Sequence, residues 1–178
     1  MSSDSLPSVT QVLGCFTDFS MIPSHVLSYA SERGTRVHDY CAAIAKDVFV
    51  PNVEADCEGY IESFRAWKEN YVEEILFVEQ EFIHPIHLYV AHPDLGVLLK
   101  DGNKAVVDLK TPAILQRIWR GQCAAYLEVV RLKMRDFRKA GTLRLQPGGG
   151  PAKMDWYPEN VADFAMFVCA LNAYRYFR

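Results

Sequence analysis

The sequence predicts an α/β domain with a central mixed β-sheet flanked by α-helices. Three features carry that reading. Long stretches repeat apolar residues at helical spacing. Shorter runs rich in β-branched and aromatic residues read as strands, and an Asp101-Gly102 dipeptide between two such runs marks a tight hairpin. At 178 residues, half of them apolar and 23% charged, residues 1–178 suit a single domain that buries a core.

The elements follow in order. Residues 24–48 place Val26, Leu27, Ala30, Val37, Cys41 and Ile44 at helical spacing, with Pro23 ahead of the first turn and Pro51 closing the segment. Gly34 interrupts this pattern and marks either a break or a close contact. A second helix is expected over about 55–71. Residues 74–83 read as a strand, and 88–100 contain another, interrupted near Pro93. Beyond the Asp101-Gly102 turn, 104–110 is the returning strand. Pro112 is expected to begin a helix that runs to about Arg138. Short strands at 142–146 and 152–157 flank Gly148-Gly149-Gly150, and Pro158 opens a final helix to Phe177.

Composition excludes several classes. A formal charge of −3 argues against nucleic-acid binding by bulk charge but leaves room for a local basic cleft. No run approaches the roughly 18 apolar residues of a membrane span, and the residues from Met1 to Val9 do not read as a signal peptide. The five cysteines (Cys15, Cys41, Cys57, Cys123, Cys169) are scattered without a C-x-x-C pair, which argues against a disulfide framework or zinc knuckle and for a reducing, cytoplasmic setting. There is no G-x-x-x-x-G-K-[ST] loop of a nucleotide-driven motor.

Chemistry concentrates around Val106-Val107-Asp108-Leu109-Lys110. On a strand, Asp108 and Lys110 project from one face while Val107 and Leu109 point to the other. Alone, the pair reads as an ion pair at a strand end. Asp94, across the hairpin, changes the balance. Antiparallel neighbours come within about 5 Å, so Asp94 and Asp108 are positioned to share a divalent cation, which favours oxygen ligands. Two carboxylates beside a lysine suit phosphodiester hydrolysis.

Five elements in order, Gly34-Thr35-Arg36-Val37-His38, Glu79, Asp94, Asp108-Leu109-Lys110 and Gln122-Cys123-Ala124-Ala125-Tyr126, make the chain resemble the PD-(D/E)xK nuclease superfamily, specifically its RecB-like and phage-type exonucleases. The resemblance spans nearly the whole chain, from Pro7-Ser8-Val9-Thr10 onward. It implies a restriction-endonuclease-like core and a Mg²⁺- or Mn²⁺-dependent deoxyribonuclease that hydrolyses linear DNA ends, single- or double-stranded, in recombination or repair. It implies His38, Glu79, Asp94, Asp108 and the Leu109 carbonyl as metal ligands, and Lys110 as the group that positions water. Gln122 and Tyr126, one helical turn apart, would support the site, with Tyr126 steadying the lysine or touching DNA.

Arg33, Arg36, Arg117 and Arg120 are the candidates for phosphate contacts. A homo-oligomer or a single-strand-annealing protein is the implied partner, and the bacterial cytoplasm the implied location if the chain is phage-encoded. Some relatives hold an iron-sulfur cluster; with only Cys169 late in the chain, none is expected here. Plainer readings stand beside these: Tyr126 as core, Glu81 as rival to Glu79, His38 as an ordinary helix residue. The family's glycine before the second-strand aspartate is replaced by Ala91, followed by His92 and Pro93. That departure motivates the alternative, a catalytically inactive nuclease-fold module that binds DNA or assembles with partners.

Overall fold

The computed structural model describes residues 6–50, 52–112, 114–158 and 160–178. The chain runs α1 (Val9–Gly14), α2 (Ser24–Ala45), α3 (Glu58–Tyr71), β1 (Val72–Val78), β2 (Phe82–Ile83), β3 (Val90–Ala91), β4 (Leu95–Leu99), β5 (Lys104–Lys110), α4 (Ile118–Lys133), β6 (Phe137–Arg144), β7 (Lys153–Trp156) and α5 (Asn160–Tyr176). Five strands form one mixed sheet in the order β1-β4-β5-β6-β7; β2 and β3 form a separate two-stranded ribbon. β5 and β6 are parallel, joined through α4, and the other neighbours in the sheet are antiparallel. This is the α/β architecture with flanking helices that the sequence predicts.

β5 sits at the centre and is buried on both faces. Ala105, Val107 and Leu109 join Phe64 and Trp67 of α3 and Val37 and Cys41 of α2 in one apolar cluster. Val106 points the other way, into a cluster with Cys123, Tyr126, Leu127 and Val130 of α4 and Phe167 and Leu171 of α5. Strand alternation then carries Asp108 and Lys110 to the α4 face. The β4–β5 hairpin turns as expected, with Gly102 at a left-handed φ of 83° and the Asp101 carboxylate accepting the Asn103 N–H at 2.9 Å. Gly96 of β4 is needed for packing, because a Cβ there would fall 2.1 Å from the Phe77 ring.

Several boundaries differ from the sequence reading. α2 passes through Gly34 without a break, and Pro51 lies outside the described residues. The predicted strand over 74–83 is two strands in different sheets. β1 carries two register irregularities and ends at Val78, and Glu79 turns the chain with φ at 51°. The helix expected over 112–138 is shorter at both ends. Ile114 and Leu115 are exposed ahead of it, and Phe137 begins β6, whose pairing with β5 overrides local helix text. α1 is an addition. Its N-terminus is fixed by a capping box in which Ser8 Oγ accepts the Gln11 N–H and Gln11 Oε1 accepts the Ser8 N–H.

Candidate active site

The site forms where β5 outruns β4. The last β4–β5 pair is Leu95↔Val107, so the register extended by one residue sets Asp94 opposite Asp108. Leu109 then has no strand partner on the β4 side, and its N–H donates to Asp94 Oδ2 at 2.6 Å. In an extended strand a residue's N–H and C=O leave on the same side, so the Leu109 carbonyl faces this edge too. On its other oxygen, Asp94 Oδ1 lies 3.4 Å from His38 Nδ1, which α2 delivers from the opposite wall.

Asp108 is almost fully buried. Gln122 Nε2, on the facing surface of α4, donates to its Oδ1 at 3.2 Å and to the Tyr126 hydroxyl at 3.0 Å. Lys110 Nζ approaches Asp108 Oδ2 to 2.5 Å. That contact is a short buried ion pair, and Lys110 is the partner the structure gives Oδ2. The Lys110 ammonium also stands 5.6 Å from the centre of the Trp119 ring, on the same helix as Gln122. Trp119 is thus an aromatic neighbour of the lysine, while the Tyr126 hydroxyl accepts from Gln122.

Burial and charge set opposed protonation tendencies. Burial drives the Asp108 carboxyl up to about 6, with Lys110 pulling it down and the Asp94 charge adding to the rise. At Asp94 burial acts in the same upward sense, but the charge and hydrogen bond of His38 outweigh it and hold the group below its ordinary value. For His38 and Lys110 burial disfavours the cation, yet the Asp94 charge raises the imidazole and the Asp108 charge raises the ammonium. Burial and neighbouring charge thus push the two carboxyls in opposite directions.

These groups line one cavity of about 250 Å³: His38, Asp94, Asp108, Lys110, Gln122 and Tyr126, closed by Ser8, Val9 and Thr10 of the α1 region and by Val90 and His92. The chemistry of the donor set fits a hard cation. It offers two carboxylates, a backbone carbonyl on the same edge and an imidazole, in a space with room for several waters. Ser8, Thr10 and Trp119 are not among the site residues expected from the sequence, although Pro7-Ser8-Val9-Thr10 opens the resemblance. The Ser8-x-x-Gln11 capping signature was the available clue to the first two; Trp119 offered only its place on the apolar side of α4.

Other expected residues are not brought in. Glu79 does not line the cavity. Its backbone N–H donates to the Asp94 carbonyl at 2.8 Å, but its half-exposed carboxylate lies 3.4 Å from Lys46 Nζ. The cause is the chain reversal after Val78, which breaks the alternation that an unbroken strand would have kept. Glu81 lies 3.2 Å from His92 Nε2. The four arginines also lie elsewhere. Arg33 stands over the rings of Tyr29 and Tyr60, Arg36 pairs with Glu54 and Asp56, and Arg120 pairs with Asp163. Arg117 and Arg120 line a separate groove beside α5. Ala91 is fully buried in the core, so its methyl group does not enter the cavity.

A tighter group of ligand-type atoms, within 4.8 Å of one another, occurs at Glu54, Asp56 and Cys57. There the Arg36 guanidinium already engages both carboxylates. A scan of protein-family models finds no match to this chain, and a search of curated proteins finds no relative.

Proposed function

We propose that this chain is a Mg²⁺- or Mn²⁺-dependent deoxyribonuclease of the PD-(D/E)xK type that hydrolyses phosphodiester bonds at linear DNA ends. The observation that carries the reading is the meeting of Asp94, Asp108, His38 and Lys110 in one cavity, drawn from three separate stretches of chain. Asp94, Asp108, the Leu109 carbonyl and His38 would hold the cation. When bound, it supplies Lewis-acid charge to the phosphodiester.

The chain's own residues do the rest. Gln122 fixes the Asp108 carboxylate by its Oδ1, and the Leu109 N–H fixes Asp94 by its Oδ2. Lys110 keeps its ammonium charge beside Asp108, where it orients an attacking water and faces charge that grows on the phosphate. Apolar Val9 and Val90 on the opposite wall exclude bulk water and strengthen these interactions. No described helix is long and apolar enough to cross a membrane.

The test is digestion of end-labelled DNA with Mg²⁺ or Mn²⁺, against EDTA. Release of labelled nucleotides that depends on the metal and is lost in Asp108→Asn and Lys110→Ala supports the reading. Equal rates in parent and variants overturn it. Metal-independent binding of DNA without cleavage would instead favour the inactive module.

A further inference from the structure

A groove of about 860 Å³ opens between α4, the start of α5 and the β6–β7 edge, away from the active cavity. Among the described residues three cations line it, Arg131, Arg138 and Lys139, and no carboxylate does. In a chain of formal charge −3 these described residues are a local concentration of positive charge. Arg131 is held in place by donating from Nε to the Phe137 carbonyl and from Nη2 to the Arg138 carbonyl, both at 3.0 Å, two neutral acceptors. Arg138 is exposed, and Lys139 shares its charge with Asp101 at 3.1 Å.

The aromatic component is Trp156, at the end of the edge strand β7. Its ring carries the Lys139 ammonium 4.5 Å from its centre and lies against Gly141, where a Cβ would fall 2.9 Å from the ring. The indole is therefore held at the sheet edge while over a third of the residue remains exposed. Clustered cations beside a held aromatic ring match a ligand that alternates phosphates with flat bases.

We propose that this groove is a second nucleic-acid site, which holds a single strand through its phosphates and packs a base against Trp156. Its position gives the strand a destination. β6 starts in the groove at Arg138 and Lys139 and ends at Thr142–Arg144, paired with Asp108–Lys110. At about 3.3 Å per residue that is a separation of roughly 10–20 Å along the strand. The routing toward the cavity rests on the nuclease reading; binding in the groove does not.

The experiment measures anisotropy of a labelled oligothymidylate of about 15 nucleotides in EDTA, across a KCl series, so that no cleavage occurs. Arg138→Ala should weaken binding several-fold and flatten the slope of log affinity against log salt by about 0.7, the share of one cation on a single strand. Trp156→Leu should weaken binding several-fold and leave that slope unchanged, and Arg138→Lys should restore most of the affinity. An oligonucleotide that the parent does not bind, or that both variants bind as the parent does, overturns the proposal. A polyglutamate peptide that binds with the same Arg138 dependence while DNA does not also overturns it, and makes the groove a peptide site. The two readings fail separately. Arg138- and Trp156-dependent binding without any cleavage in Mn²⁺ removes only the nuclease, and metal-dependent cleavage with unchanged variant binding removes only the groove.

Discussion

Arg36 and His38, two residues apart on α2, project about 200° from one another around the helix and enter two different charge clusters. On one side Arg36 meets Glu54 and Asp56, with the Tyr29 hydroxyl donating to Asp56 at 2.8 Å. On the other, His38 meets Asp94, Asp108 and Lys110. The first cluster gathers ligand-type atoms more tightly, yet its anions already share a guanidinium next to solvent. The second is more deeply buried and drives one carboxyl up to about 6 while lowering its neighbour. Proximity of acidic groups is therefore a poor guide to chemistry. Burial with opposed protonation tendencies is a better one, because burial strengthens every interaction between the charges gathered there.

Substitutions can break this contrast or sharpen it. The largest effect is expected at Asp108 and Asp94. Asparagine at either position should abolish Mn²⁺ binding by calorimetry and reduce DNA cleavage beyond detection, as EDTA does to the parent. Lys110→Ala should retain Mn²⁺ binding while lowering kcat by about 100-fold or more, which a single-turnover assay separates from binding.

Trp119→Leu removes the ring over the Lys110 ammonium and should lower kcat several-fold with little change in KM. Trp119→Phe, which keeps a π face, should recover most of the loss. Glu79→Gln should change the rate at least tenfold less than Asp94→Asn, because its carboxylate faces Lys46 outside the cavity; equal losses would return Glu79 to the site. The smallest effect belongs to the other cluster. Asp56→Asn should leave kcat and KM within about twofold of the parent, and any loss in thermal midpoint should shrink as salt is raised, since screening weakens exposed ion pairs.

Legibility followed the range of the interactions. β5 was readable to the residue because its alternation, its two buried faces and the Asp101-Gly102 turn all point the same way. Gln122 and Tyr126 were readable as a pair because one helical turn fixes them on one face. The ends of α4 were not. Ile114 and Leu115 suit a helix but end exposed, while Phe137 suits either state until β5 offers it a parallel partner. Glu79 was misplaced for a similar reason: bulges and one left-handed residue, invisible in the residue pattern, redirected it. The six residues of α1 were too few to show a period, though they close the cavity.

By itself the sequence determined the α/β class, the central hairpin and the face of β5 that bears Asp108 and Lys110, because strand period and turn chemistry act between near neighbours. Only the tertiary structure decided that His38 and Asp94 join them, that Glu79 and the arginines do not, and that Trp119 covers the lysine. Those outcomes depend on where one strand stops beside another and how a distant helix packs across it, quantities that no local pattern contains.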